Sequence, residues 1–188
     1  MKKLITGFIA LLILFAACQP AGEQKTANSG DDTEKRVEEL LAKMTLDEKI
    51  GQMNQYTSRW EMTGPAPANA DSMFIYNMIK EGKLGSMLNV TGVAATRKVQ
   101  KLAVDSSRLG IPLILGYDVI HGYKTIFPIP LAEAASWDPE IAKLSAKVAA
   151  DESAAAGLHW TFAPMVDVSR DARWGRVMEG SGEDAYLG

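Results

Sequence analysis

The sequence predicts an α/β fold built from parallel βα units. Three short apolar segments, at residues 85–90, 112–117 and 158–168, alternate with two longer segments of helical periodicity. Strands buried on both faces form such continuous apolar runs, and the helices between them connect parallel neighbours. Two architectures use these units, an open doubly wound sheet and a closed (β/α)8 barrel. The alternation does not choose between them, but both place functional sites at the carboxyl ends of their strands.

Two helices are predicted before the first of these strands. From Glu34 onward, apolar residues recur at helical spacing among charges and predict an amphipathic helix. Thr45 and Glu48 have the spacing of a capping box, which begins a second short helix. The Gly- and Pro-containing stretch 57–70 is predicted to be a loop. Asp71 is expected to cap a further helix that continues to about Lys80.

The remaining elements follow from their boundary residues. A helix is predicted over 93–109, with Ala95, Val99, Leu102 and Ala103 on its inner face, and the strand 112–117 comes next. Asp138 as cap and Pro139 at the first position begin the next helix. We expect that helix to bury Ile141, Leu144 and Val148 and to end at Gly157, and the strand 158–168 follows it.

Composition limits the functional classes. Of the 188 residues, 47% are hydrophobic, so a buried core is available, and the net charge of -3 offers no basic stripe for nucleic acid. One cysteine excludes an internal disulfide framework, and two distant histidines offer no metal-ligand cluster. We therefore expect no nucleic-acid partner, no metal and no cofactor.

The amino terminus has the pattern of an export signal. Two lysines precede an almost wholly apolar stretch at residues 4–17, which is shorter than the ~20 residues that cross a bilayer. Ala16, Ala17 and Cys18 resemble a bacterial lipobox, although Phe15 replaces the usual leucine. The prediction is a signal peptide at 1–17, lipidation of Cys18, a flexible tether at 18–33 and a periplasmic or outer-membrane-associated lipoprotein. The alternative is an ordinary cleaved signal with an incidental cysteine.

Polar side chains follow the second and third predicted strands. Asp118 and His121 come directly after the second, where a carboxylate could accept hydrogen bonds from two vicinal sugar hydroxyls. The alternative is that both residues only stabilise a turn. The loop after the third strand holds three arginines, several acids and Trp174. These could bind a sugar, or they could form an ion-pair network that keeps the loop rigid.

Four motifs in this order resemble family 3 glycoside hydrolases, and within that family the bacterial periplasmic β-glucosidase type. They are MTLDEKIGQM at 44–53, YDVIHG at 117–122 with TIFP at 125–128, FAPMVDVSRDARWGR at 162–176 and EGSGED at 179–184. The resemblance covers residues 34–188. Ala172 stands where the family usually has proline, and Ser181 where an aromatic is common. Neither change removes a charge.

The resemblance implies the first strands and helices of an incomplete (β/α)8 TIM-type barrel over residues 34–188. It also implies that Asp118 and Arg176 bind the terminal glucose of a β-linked oligosaccharide or glucoside, in subsite −1. The other charged residues of the loop are assigned to scaffolding: Asp167, Arg170, Asp171, Arg173, Glu179, Glu183 and Asp184.

The family reaction implied is retaining hydrolysis, in which two carboxyl groups ~5–5.5 Å apart act as nucleophile and acid/base. Both are expected beyond Gly188, so no catalytic residue is assigned here, and the chain alone is expected to be inactive and poorly soluble. The alternatives are a β-xylosidase or N-acetylhexosaminidase of the same family, or a non-catalytic glycan-binding lipoprotein that reaches the membrane through its lipid anchor.

Overall fold

The computed structural model describes residues 29–58 and 72–186, and the chain divides into two compact units, 1–43 and 44–188. In the first unit, helix α1 spans Ser29–Lys43. It begins before Glu34, so the prediction of a tether up to residue 33 is wrong for its last five residues. Acidic side chains near the amino terminus of a helix interact favourably with the helix dipole and stabilise the helix. This explains the earlier start at this polar segment. The predicted signal peptide, Cys18 and Asp71 lie outside the described residues.

The second unit contains a parallel sheet with the strand order β1-β2-β3-β4. Its elements, in chain order, are α2 Leu46–Gln52, β1 Gln55–Thr57, α3 Ser72–Lys80, β2 Ser86–Leu88, α4 Val93–Ser106, β3 Ile114–Tyr117, α5 Pro130–Ala134, α6 Pro139–Ala155 and β4 Trp160–Thr161. In the described parts of the chain, no helix is long and apolar enough to cross a membrane.

One face of the sheet packs against the helices to form the core. Met87 of β2 and Leu115 of β3 are neighbours in register and almost fully buried. The core also contains Ile75, Ile79, Leu84, Val90, Val99, Ala103, Leu113 and Leu158. On the opposite face, a side chain at Gly116 would meet the ring of Phe162 and a methyl group of Leu88. Because Gly116 has no side chain, the ring of Phe162 can lie against this face of the sheet.

The amino ends of the strands are held by an ion pair between the buried Glu48 and the partly exposed Arg108. Thr45 and Glu48 form the predicted capping box of α2, with the Thr45 amide donating to Glu48 Oε2 at 2.8 Å. Arg108 donates to both oxygens of the same carboxylate, at 2.9 and 2.5 Å. These bonds, first of all those from Arg108, lower the pKa of Glu48 to about 2. Glu48 is only 7% exposed. Its bonds with Arg108 join α2 to the segment that leads into β3.

Two glycines allow close backbone contact at the same end of the sheet. A Cβ at Gly51 would lie 2.3 Å from the carbonyl oxygen of Gly82, and a Cβ at Gly85 would lie 2.3 Å from that of Gln52. Real Cβ atoms do not approach this closely. Helix α2 therefore lies directly on the segment that enters β2, and only glycine fits at either position.

The prediction and the structure differ in three elements of the second unit. Strand β1 was not predicted, since the loop was placed from residue 57 onward. The last strand was predicted over 158–168 but contains only Trp160–Thr161. A proline follows at 164, and its lack of an amide hydrogen prevents regular pairing there. Helix α5 was not predicted either. The remaining predicted strands and helices of the second unit are present, several of them with shorter ends.

The predicted buried face of α6 is wrong at two of its three positions, and the third, Val148, is half-buried. Ile141 is exposed and Leu144 is 60% exposed, while the buried positions are the small residues Ser145, Ala149 and Ser153. The Thr96 hydroxyl of α4 donates to the carbonyl of Ala156 at 2.8 Å, which fastens the end of α6. The small-residue face of α6 lies beside α5, where the Ser145 hydroxyl donates to Glu133 Oε2 at 3.0 Å.

Candidate substrate-binding site at the carboxyl ends of the strands

The ends of β1, β2 and β3 are joined by hydrogen bonds around Asn89. Its amide donates to the carbonyl of Gly116 at 3.1 Å, and its side chain donates to the Thr57 hydroxyl at 3.0 Å. Asn89 is buried and has a φ of 63°, a conformation that asparagine tolerates better than most residues. No local sequence signal pointed to this role of Asn89. The half-buried Asp118 follows β3 directly at this edge, as predicted.

The loop after Asp118 is held from two sides. His121 Nδ1 lies 2.9 Å from the carbonyl oxygen of Phe127, whose amide donates to the carbonyl of His121 at 2.8 Å. Glu152 of α6 accepts the amides of Lys124 and Thr125 at 2.7 and 2.9 Å. These contacts support the structural interpretation of His121. Glu152 was not singled out from the sequence.

The arginine-rich loop after β4 is closed at its base. The Ser169 amide donates to the carbonyl of Gly182 at 2.8 Å, and Met165 forms a parallel bridge with Gly180. Between these points the backbone makes successive turns. In one of them the Glu179 amide donates a hydrogen bond to the carbonyl of Arg176 at 3.0 Å. The loop is irregular, but both of its ends are fixed.

Arg176 pairs with Glu179. Its Nε and Nη2 atoms donate to the same oxygen of Glu179 at 3.0 and 2.5 Å. The pKa of Arg176 is raised, first by this hydrogen bond and then by the negative charges of Glu179, Asp167 and Asp118. The pKa of Glu179 is correspondingly lowered, chiefly by the bond from Arg176. The charge of Asp118 therefore acts on Arg176, while the direct partner of the guanidinium is Glu179.

A second ion pair in the loop has a different environment. Arg173 donates to both oxygens of Asp171, with Nη2 at 2.5 Å, and its side chain is 91% exposed. This pair fits the scaffolding interpretation made from the sequence, as does Asp184, which accepts the Tyr186 amide at 2.8 Å. The Asp118–Arg176 neighbourhood instead offers a carboxylate acceptor and guanidinium donors, a combination that suits vicinal sugar hydroxyls.

A groove beside the candidate site is lined by residues that follow Asp118. It has a volume of about 610 Å³ and is lined mainly by apolar groups, between the small-residue face of α6 and β4. Its lining includes Val119, Ala149, Leu158 and Trp160, but neither Asp118 nor Arg176. A mostly apolar lining does not suit a hydroxyl-rich ligand, so we place the candidate site at the strand ends. Among the described residues, no cluster of His, Cys, Asp or Glu could hold a metal ion.

Comparison with known families places this arrangement. Residues 45–188 match the glycosyl hydrolase family 3 N terminal domain. The chain belongs to glycosyl hydrolase family 3. The resemblance seen in the motifs is therefore confirmed, and so is the α/β fold with the first units of a TIM-type barrel.

Two curated members of family 3 show the range of relatives. The chain is 45% identical over 151 residues to a periplasmic beta-glucosidase of Salmonella typhimurium, a match that covers 80% of this chain and 19% of that protein. It is 34% identical over 188 residues to a beta-xylosidase of Formosa agariphila, covering 100% of this chain and 21% of the relative. The chain thus spans about a fifth of the length of both.

A solved family 3 structure agrees with this alignment. The beta-glucosidase from Listeria innocua in complex with isofagomine superposes with a TM-score of 0.71 and 43% identity. The match covers 82% of this chain and 21% of that one. A mutant of the same enzyme has been solved in complex with laminaribiose.

Proposed function

We propose that the chain contributes part of the sugar-binding subsite −1 of a retaining β-glucosidase, with Asp118 and Arg176 as the binding residues. The observation that carries this proposal is the position of Asp118 directly after β3, where its charge acts on Arg176. The carboxylate accepts hydrogen bonds from hydroxyls and the guanidinium donates them. The similarity to the Salmonella typhimurium and Listeria innocua beta-glucosidases supports the choice of substrate.

The second candidate within the family is a β-xylosidase, which the similarity to the Formosa agariphila protein favours. A glucoside carries a hydroxymethyl group that a xyloside lacks. The higher identity with the Salmonella typhimurium protein, 45% against 34%, leads us to prefer the glucoside. No described residue favours an N-acetylhexosaminidase or a binding-only role.

The test places this chain in a complete enzyme. A chimera would carry residues 45–188 in place of the aligned segment of the Salmonella typhimurium protein, and it would be assayed with p-nitrophenyl β-glucoside and β-xyloside. We expect hydrolysis of the glucoside. Asp118→Asn should lower kcat/KM about 10–100-fold, since the sugar hydroxyls would then donate to a neutral amide oxygen instead of a charged carboxylate. The matched control Asp171→Asn should leave kcat/KM unchanged.

Two results would contradict the proposal. One is a folded, active chimera in which Asp118→Asn and Arg176→Lys both behave as the unsubstituted chimera does. The other is a higher kcat/KM for the xyloside than for the glucoside, relative to the Salmonella typhimurium parent, which would favour the xylosidase. The same assay on the 188-residue chain alone tests the expectation that it is inactive.

We further propose that the chain is exported and anchored through lipidated Cys18. This rests on the charged, apolar and small-residue order of residues 1–18 and on the periplasmic location named for the Salmonella typhimurium relative. Radiolabelled palmitate incorporation in a bacterial host should be lost in Cys18→Ala. Equal labelling of the two forms would contradict lipidation.

A further inference from the structure

Arg176 lies in an irregular loop with several carboxylates nearby. Glu179, Asp167 and Asp118 all act on its pKa. A guanidinium can pair with any carboxylate in reach, because its donors form a planar fork that suits each of them. If Arg176 turned to Asp118, it would occupy the oxygens that the proposed function assigns to sugar hydroxyls.

Glu179 engages one edge of the guanidinium. It takes the Nε–H and one N–H of Nη2 on a single oxygen, at 3.0 and 2.5 Å. An arginine has five N–H donors, so the two on Nη1 and one on Nη2 remain. Among the described residues, no hydrogen bond to these three donors is present. The pairing with Glu179 therefore fixes the plane of the guanidinium and leaves its outer edge for a ligand.

Folding stability does not account for this pair. The side chain of Arg176 is 56% exposed and that of Glu179 29%. Exposed ion pairs contribute little to folding, because water and salt screen them and two long side chains lose their freedom. The Arg173–Asp171 pair in the same loop shows the same chemistry without a neighbouring candidate site. The two pairs therefore form a natural comparison.

Building on the proposed function, we propose that Glu179 is a positioning residue that holds Arg176 away from Asp118 and directs its free donors to the sugar. This changes the scaffolding role that the sequence predicted for Glu179. The acid acts through Arg176 and does not contact the substrate. Its spacing of three residues from Arg176 was the available sequence signal.

The first test uses the full 188-residue chain. The ¹⁵Nε–H resonance of Arg176, assigned by its loss in Arg176→Lys, should exchange slowly with water. In Glu179→Ala the exchange should become about tenfold faster, because the acceptor is gone. Asp171→Asn should change only the Arg173 signal. An Arg176 signal unaffected by Glu179→Ala would overturn the proposal.

The second test uses the chimera and does not depend on the solubility of the chain alone. Glu179→Ala should raise KM for p-nitrophenyl β-glucoside about tenfold with a smaller change in kcat, as expected when binding common to ground and transition states is lost. Glu179→Gln keeps one acceptor oxygen and should restore part of this loss. Asp171→Asn should change neither constant.

The outcomes separate the two proposals. If Arg176→Lys raises KM but Glu179→Ala does not, Glu179 has no positioning role and the proposed function stands. If Arg176→Lys itself leaves KM unchanged, the role of Glu179 is overturned, and the proposed function fails as well if Asp118→Asn is also without effect. A Glu179→Ala variant that lowers the melting temperature while KM stays constant would show a merely structural acid, and would also overturn the proposal.

Discussion

The two ends of the sheet use the same chemical pair, arginine with glutamate, for different purposes. At the amino ends of the strands, Glu48 is buried, accepts from both Thr45 and Arg108 and joins two segments far apart in sequence. At the carboxyl ends, Arg176 and Glu179 are three residues apart. The two arginines are similarly exposed, at 55% for Arg108 and 56% for Arg176, but the acids differ, at 9% for Glu48 and 29% for Glu179. In barrels of this type, the amino end of the strands serves stability and the carboxyl end serves function. The burial of the acid and the sequence separation of the partners, rather than the residue types, therefore distinguish the two pairs.

The largest effect is expected from Gly51→Ala at the amino end. The new Cβ would lie 2.3 Å from the carbonyl of Gly82 and 2.6 Å from the Cα of Lys83, both backbone atoms that cannot move aside. We expect a loss of about 3 kcal/mol or more in the free energy of unfolding, at the upper end for overpacking. Urea denaturation measures it. The control is Gly175→Ala in the carboxyl-end loop, where no described atom lies within 4 Å; equal losses in both would contradict the comparison.

Glu48→Gln should have the next largest effect and should change the pH dependence of stability. The folded pKa of Glu48 is about 2, below its ordinary value of 4.5. A depressed pKa stabilises the fold above pH 4.5, and this stabilisation is lost as the pH falls towards 2. We expect the variant to melt several degrees lower at neutral pH, with the difference shrinking in acid. Thermal melts at pH 7 and pH 3 test this, and a constant difference would argue against the ion pair.

Glu152→Gln should affect the carboxyl end locally. Hydrogen bonds from the Thr125 amide and hydroxyl and from the Lys124 amide lower the pKa of Glu152. The neutral amide accepts these bonds less strongly, so exchange of the two backbone amides should accelerate about tenfold while global stability changes little. Hydrogen exchange measured by NMR reports both quantities. Asp151→Asn, which removes only an exposed pair with Lys147, is the control and should leave these amides unchanged.

The smallest effect is expected from Asp171→Asn. The Asp171–Arg173 pair has good geometry but is highly exposed. We expect the melting temperature to stay within about 1 °C, since such pairs contribute little. A larger fall would mean that exposed pairs also hold the loop in shape, and the distinction between the two ends would weaken.

Elements marked by local signals were predictable from the sequence. The capping box at Thr45 and Glu48 and the start of α6 at Asp138 and Pro139 each depend on residues a few positions apart. The missed strand β1 has only three residues, Gln55–Thr57, with no apolar run, and it is a strand because β2 lies beside it. The buried face of α6 depends on contacts with other elements, such as the hydrogen bond from Ser145 to Glu133 of α5, and the end of the helix is fixed by Thr96, 60 positions from Ala156. Periodicity alone could not place that face.

The candidate site divides in the same way. Asp118 was found because its position follows directly from the end of an apolar strand, and the pairing of Arg176 with Glu179 is local. The hydrogen bonds from the Lys124 and Thr125 amides to Glu152 join residues 28 and 27 positions apart, so they have no local sequence signal. The grip of Asn89 on the end of β1 spans 32 residues and was also out of reach.

The glycine contacts of α2 have a consequence for mutational surveys. In a library screened for hydrolysis, Gly51 and Gly85 would tolerate replacement as poorly as a sugar-binding residue, since their substitution removes the folded protein. Abundance scored beside activity separates the cases: a changed Gly51 should lower the amount of folded protein, whereas the binding role proposed for Asp118 predicts normal abundance with reduced hydrolysis.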